Sequence, residues 1–391
     1  MRSDRFPGRR ASILALAVCT LILAACDHDR ITGLRSEGPS ANLGRGTDVL
    51  TVMTHNIYVG ADVDPIVAAT DPTQIPFLAA QAYQELLSTN FPERAEAIAD
   101  EIALQRPHLI GLQEVSTIRA QSPGDLIQGG TTPATDPLYD YLAILMDALD
   151  ARGLDYRVAG LVQNADLEVP VYTGGDPFDP GNYDDIRLTD FDVVLARGDV
   201  AISDVVARNY AQGLPVPGVG VIPRGFVAVD ATVRNRTYRF ASTHLEPADP
   251  GVQAAQAAEL VAALANESKP VILVGDLNTP APDGAIYRFL LDHGFVDAWD
   301  RNLQRGAGSG LTNPQDSDLR NTQPHLTKRI DFVLVRNNAG ARGNSVLGGV
   351  WATVWGDDLS ERTASGLWPS DHAAVIAEMR LPALGGGAYG D

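Results

Sequence analysis

Asp276 and Asn278 stand two residues apart, directly after the apolar run Val271-Ile272-Leu273-Val274 and a glycine, Gly275. A run this short and this rich in β-branched residues reads as a buried strand. The pair then sits where the strand opens into a loop, and period-two geometry sets both side chains on one face. Carboxylate and carboxamide groups so placed suit a hard cation or a phosphoryl oxygen. An Asx turn closing the strand would use the same two residues, and the motif alone does not separate the readings. Five further strand ends carry similar chemistry: His55-Asn56, Gln113-Glu114, His244 after Phe240-Ala241-Ser242-Thr243, Asp331 within Arg329-Ile330-Asp331-Phe332, and Asp371-His372 after Trp368-Pro369-Ser370.

Each of these has an ordinary structural explanation. Asn56 can cap a turn, Glu114 can be a solvated loop carboxylate, His244 can bond backbone in a core, and Ser370-Asp371 can form an Asx or N-cap turn. Together they compose a reaction centre. Glu114 and Asn56 offer the oxygen ligands that a hard divalent cation takes. His372 can serve as a general base if a partner fixes its tautomer, and Asp331 is the candidate for that partner. His244 and Asn278 can donate hydrogen bonds to a phosphoryl oxygen, where charge grows in the transition state.

These groups need strands and helices to hold them. Strands are expected at Val49–Thr54, His108–Leu112, Phe191–Ala196, Phe226–Val233, Tyr238–Ser242, Ile330–Val335 and Ala373–Met379, with residues 234–237 as a hairpin loop. Helices are expected at Pro92–Gln105, Pro137–Ala151, Val252–Ala265 and Pro282–His293, from apolar spacing, Pro in first turns, and Gly153 and Gly294 as stops. Residues 117–136, 164–190, 301–327 and 340–368 are rich in turn formers and read as long loops. The alternation of strand and helix predicts an α/β protein whose sheets are covered by helices.

The chain has 391 residues, is 45% hydrophobic and carries a formal net charge of -19. It can bury a large core, and outside the N-terminal segment it has no basic run of the kind that grips long nucleic acid. Arg9 and Arg10, the apolar stretch Ile13 to Leu23, and Ala24-Ala25 form a secretory signal too short for a membrane span. Leu23-Ala24-Ala25-Cys26 is similar to a bacterial lipobox, so Cys26 is expected to be lipidated and to anchor the exported protein to a membrane of the cell envelope. The other cysteine, Cys19, lies within residues 1–25, so no intrachain disulfide is expected after cleavage. Residues 26–47 read as a flexible tether and 383–391 as a disordered tail.

The set Thr54-His55-Asn56, Gln113-Glu114, Thr243-His244, Gly275-Asp276-Leu277-Asn278, Ile330-Asp331 and Ser370-Asp371-His372 resembles the endonuclease/exonuclease/phosphatase superfamily, with its DNase I-like fold, across residues 48–382. The resemblance implies a four-layer α/β/β/α sandwich of two packed mixed sheets. It implies that Asn56 and Glu114 hold Mg²⁺ or Mn²⁺ with Asp371 nearby, and that His372, oriented by Asp331, activates water. Asp276 would position the nucleophile or stabilise the leaving group, Asn278 and His244 would bind the scissile phosphate, and Arg224, in Pro223-Arg224-Gly225-Phe226, would match a phosphate-contacting arginine. The expected activity is metal-dependent hydrolysis of a phosphoester, foremost a phosphodiester, by a monomer. Val52-Met53-Thr54-His55-Asn56-Ile57-Tyr58 is similar to the start of bacterial sphingomyelinases, so a phospholipid headgroup is one candidate substrate. DNA or RNA is another, disfavoured by the acidic balance, and a non-catalytic binding lipoprotein is the alternative outside enzymology. Trp351 and Trp355 are candidates for a membrane-entering aromatic pair, although tryptophans so placed usually pack locally.

Overall fold

Alternation along the strands sorts the apolar side chains into layers. Val52, Leu109, Val194, Ile272 and Val333 pack into one cluster shared by two sheets, whereas Met53, Ile110 and Leu195 face one outer side and Leu273 and Leu334 the other. Successive strand residues point to opposite faces, so each sheet is apolar on both. Helices Phe91–Gln105 and Tyr141–Ala151 cover the first outer face through Ala95, Ile98, Leu145 and Leu149. Helices Pro250–Leu264 and Ala285–Asp292 cover the second through Leu260, Leu264, Ile286 and Leu290. The layers are helix, sheet, sheet, helix, as expected. This is a computed structural model that describes residues 49–216, 220–304, 308–337 and 349–380. The expected signal peptide, Cys26, the tether and the tail lie outside the described residues.

The first sheet runs Gly349–Trp355, Ala374–Arg380, Val49–Asn56, Leu109–Gln113, Tyr183–Arg197, Thr117–Gln121, Asp136–Asp140, with Tyr156–Tyr172 also paired to Tyr183–Arg197. The second runs Val296–Asp297, Asp331–Arg336, Val271–Asp276, Arg236–His244, Gly225–Val233, Ala201–Asn209. Each sheet contains one parallel pair that bears on the site. Asn56 lies opposite Gln113 in the first, and His244 opposite Asp276 in the second. Parallel neighbours end at the same edge, so both sheets deliver polar residues to one rim. The antiparallel strand Asp331–Arg336 starts there too, with Asp331 opposite Asp276. The sheets approach closely at Gly111, where a Cβ would meet Val274 Cγ2 at 2.5 Å and Ser242 Oγ at 2.7 Å. Gln113 ties them together: its Nε2 donates to Ser242 Oγ at 3.0 Å, and its Oε1 accepts from Thr54 Oγ1 at 3.2 Å.

The expected loop at 164–190 is largely strand, and the one at 117–136 opens and closes on strand with loop between. Tyr156–Tyr172 and Tyr183–Arg197 form a long hairpin, and Thr117–Gln121 pairs with Tyr183–Arg197 on one side and Asp136–Asp140 on the other. The turn formers Gly174, Gly175, Asp176, Pro177 and Pro180 belong only to the connection between the long strands. Polar residues within the strands satisfy one another, as where Arg187 Nε donates to Asp166 Oδ1 at 2.8 Å. The helix expected from Pro137 starts at Tyr141, because Asp136–Asp140 is strand and Asp140 caps the helix by accepting from Ala143 N at 3.0 Å. The hairpin loop expected at 234–237 narrows to Arg234 and Asn235, both at positive φ, as a two-residue turn requires. Helix Ile75–Ser88 and the exposed edge strand Ala201–Asn209 were not anticipated, and Gly349–Trp355 is a strand inside the expected 340–368 loop. Trp351 and Trp355 lie half-buried on that edge strand, Trp355 packing on the core beneath the helices.

Two consequences for stability arise here. Gly275 has φ +143°, and a Cβ on it would meet the Thr243 carbonyl oxygen at 1.9 Å. Gly275→Ala is expected to destabilise the fold by about 3 kcal/mol or more, read as a lowered urea midpoint; an unchanged midpoint would contradict this. His108 is buried, and its Nδ1 accepts from Thr51 N at 3.1 Å. Burial, helped by Arg197, lowers its value from 6.5 to about 4. A ring neutral in the fold but protonated near 6.5 when unfolded stabilises fully above that pH and loses this contribution as pH falls toward 4. The stability advantage of the native protein over His108→Gln should therefore shrink by about 3 kcal/mol between pH 7 and pH 4, measured by urea unfolding at both; a constant difference would contradict it.

Candidate active site

Asp276 is the hub of the rim. The buried end of its strand fixes its backbone, and its Oδ1 accepts from Asn278 N at 2.9 Å, an Asx turn. That turn leaves Oδ2 facing inward, where Asn56 Nδ2 donates to it at 3.2 Å, His244 Nε2 lies at 3.5 Å and His372 Nε2 at 3.8 Å. Burial and the neighbouring Asp331 push Asp276 up to about 7, with His372 working the other way.

Asn56 bridges the sheets, since its Nδ2 also donates to Glu114 Oε1 at 2.8 Å while its Oδ1 accepts from Tyr58 N at 3.0 Å. Glu114 stands just past its strand in the left-handed region, φ 58°, and its Oε2 accepts from Val59 N at 2.7 Å. Asp371 lines the same cavity mouth as Glu114 and Arg224. Burial pushes it up to about 7, and the Glu114 charge adds to this.

His372 Nδ1 lies 2.9 Å from Asp331 Oδ2. Asn313 Nδ2, a donor, lies 2.9 Å from His372 Nε2. Nε2 is therefore the lone-pair nitrogen and Nδ1–H donates to Asp331, which fixes the tautomer. Burial opposes charge on this ring, but Asp331, Asp371 and Asp276 outweigh it and hold the imidazole well above its usual range. The ligating atoms of Asp276, Asp331 and His372 lie within 4.8 Å of one another. Within this group His372 and Asp331 engage each other.

His244 differs in its neighbours. Arg224 Nη1 can only donate, and it lies 3.1 Å from His244 Nδ1, while Nε2 faces Asp276. Burial and then Arg224 hold this imidazole well below its usual range. It is thus a neutral ring beside Asp276. Asn278 Nδ2 packs 3.0 Å from the same Nε2 and donates to the Leu245 carbonyl at 3.0 Å. Arg224, 16% exposed, also faces Glu246 at 3.5 Å and Asp190 at 3.9 Å.

Asn56, Glu114, Arg224, His244, Asp276, Asn278, Asp331, Asp371 and His372 therefore meet at one rim, from both sheets. Two supporting groups, Asn313 and Arg94, were missed in the sequence, and a third, Ser370, was read there only as a turn former and a member of Ser370-Asp371-His372. Asn313 faces the lone pair of His372. Ser370 Oγ donates to the Asn56 carbonyl at 2.7 Å and accepts from His372 N at 3.1 Å, closing the last strand onto the first. Arg94, fully buried, donates to the carbonyls of Ile57 at 2.7 Å, Tyr58 at 3.0 Å and Pro369 at 3.0 Å, pinning both site-bearing loops. A signal was there: Arg94 lies on the apolar stripe of its helix with Phe91, Ala95 and Ile98, where an unpaired charge is out of place.

The chain matches the model of the Endonuclease/Exonuclease/phosphatase family over residues 53–372. Among solved structures it is similar to an endonuclease/exonuclease/phosphatase family protein from Bacteroides thetaiotaomicron, at 17% identity and TM-score 0.52, covering 85% of this chain and 98% of that one. It is also similar to a functionally unknown conserved protein from Enterococcus faecalis V583, at 16% identity and TM-score 0.50, covering 85% and 100%. No curated protein is similar enough to count as a relative.

Proposed function

Because the chain belongs to the endonuclease/exonuclease/phosphatase family, we propose that its rim hydrolyses phosphoesters, foremost phosphodiesters, with a divalent cation bound. The observation that carries this reading is the Asp331–His372 pair at 2.9 Å, set against Asp276. The surrounding carboxylates favour a protonated His372, and a bound cation would offset their charge; the neutral ring's Nε2 then takes a proton from the attacking water, and Asp331 stabilises the imidazolium that forms. Asp276 orients that water. His244 and the Asn278 carboxamide bind phosphoryl oxygens, and Arg224 adds positive charge.

The donor set suits a hard cation. Glu114, Asp371 and the Asn56 carboxamide offer oxygen only, and the crowding of Glu114 and Asp371, which raises Asp371, is the kind that a cation relieves. These three residues would hold Mg²⁺ or Mn²⁺, which when bound offsets charge on the phosphoryl oxygens. Charge also favours diesters. Arg224 is the only cation among the described residues lining the cavity mouth, and it already faces Asp190 and Glu246. A singly charged diester suits such a site better than a dianionic monoester. The N-terminal pattern and Cys26 support the further reading that the enzyme is exported and lipid-anchored. Turnover of bis-p-nitrophenyl phosphate should exceed that of p-nitrophenyl phosphate by an order of magnitude or so in kcat/KM; the reverse order would overturn the diester preference.

A further inference from the structure

Beside Glu114, Asp371 and Arg224 opens a cavity of about 480 Å³ whose wall is mostly apolar. Ile66, Ala79, Leu86, Leu167, Val169 and Leu188 line its depth. It lies between helix Ile75–Ser88 and the hairpin of Tyr156–Tyr172 and Tyr183–Arg197. Ile66, Leu167, Val169 and Leu188 pack against the neighbouring apolar clusters yet stay only half-buried, so each leaves part of its surface open to the cavity. Water gains little in a void with so few polar partners, and the volume falls within the range of small-molecule pockets. The mouth carries Asp62, Asp64, Asp190 and Glu246 besides the groups assigned to the phosphate and metal. Such a rim repels a second phosphate or a nucleic-acid backbone and admits a group that is neutral or cationic.

We propose that this cavity is a subsite for the hydrocarbon part of the substrate: the enzyme takes a phosphoester of an apolar alcohol, of the alkyl or acyl-chain class, with the chain beneath helix Ile75–Ser88 and the phosphate at the rim. The proposal rests on the phosphoester reading of the rim. The continuity of the apolar wall with Glu114, Asp371 and Arg224 in one cavity singles out this occupant.

Calorimetric titration of the protein, in Mg²⁺, with methyl n-alkyl phosphates, singly charged diesters whose alkyl group runs from methyl to octyl, below their micellar range reads the subsite directly. Each added methylene should tighten Kd about fourfold until the cavity is full. Ala82→Trp sets an indole into the same wall and should flatten that dependence; if it does not fold, Val63→Trp at the mouth replaces it. A flat Kd across the series in the native protein, or no binding at all, overturns the subsite. The same esters offered as guests in phosphatidylcholine vesicles separate a soluble ester from a membrane lipid. Length dependence for the dispersed esters supports the pocket, with or without vesicle binding, whereas binding to vesicles alone overturns it in favour of a membrane surface. The readout is binding, so the two readings fail separately. Length dependence without turnover of any phosphoester counts against hydrolysis, and turnover without length dependence counts against the subsite.

Discussion

His372→Gln is expected to lower kcat for bis-p-nitrophenyl phosphate by about 10³- to 10⁴-fold, with KM changed far less. The lone pair on Nε2 is what the reaction uses, and glutamine has no basic nitrogen. Glutamine is the informative replacement because its amide can still donate to Asp331, whose carboxylate is buried and bonded to the ring at 2.9 Å. Alanine would strand Asp331 and Asp276 together in a buried site and confound lost chemistry with lost stability. Asp331→Asn tests the same pair from the other side. Its amide can donate to Nδ1, which would move the ring proton to Nε2 and remove the lone pair from the reacting face. A fall of about 10²-fold or more is expected there. Steady-state kinetics on variants with native circular dichroism check both. Turnover within tenfold of native in His372→Gln would remove His372 from the role of base.

Glu114→Gln should raise the Mg²⁺ concentration for half-maximal turnover by about 100-fold or more. The carboxylate is the charged member of the donor set closest to Asn56, and its two oxygens already hold the Asn56 amide at 2.8 Å and Val59 N at 2.7 Å. Glutamine keeps one acceptor and loses the charge, so a hard cation loses its strongest partner there. Saturating Mg²⁺ should recover part of the native rate, which separates weakened metal binding from a misplaced Asn56. An unchanged Mg²⁺ requirement would place the cation elsewhere, with the Asp276, Asp331 and His372 cluster as the next candidate.

The site was legible because its chemistry sits at strand ends, and strand ends are what apolar runs and glycines mark. At Asp276 and Asn278 the Asx turn is present and is compatible with the other reading. Oδ1 of Asp276 closes an Asx turn onto Asn278 N, and that turn presents Oδ2 to Asn56, His244 and His372. Local geometry makes the turn and tertiary geometry makes the site, and a sequence shows only the first. Thus Asn313 escaped notice: nothing near it in the chain reveals that it meets His372 across 59 residues. Arg94 and Glu101 were readable, since both interrupt an otherwise apolar helix stripe. Fold class followed from the alternation of strand and helix. What did not follow was the long hairpin of 156–197, where Asp, Thr and Arg pair across strands and mask the period-two pattern. Edge strand Ala201–Asn209 was invisible for the opposite reason: it is exposed nearly throughout and shows no apolar face.

In the proposed reading, three strand ends from each sheet build one metal-dependent hydrolytic centre. Its most direct test is the turnover of bis-p-nitrophenyl phosphate by the native protein as prepared, after chelation, and after Mg²⁺ or Mn²⁺ is returned. Turnover abolished by the chelator and restored by the cation is the expected result. Native turnover surviving chelation, or none from the restored protein on this and a panel of other phosphoesters, would contradict it.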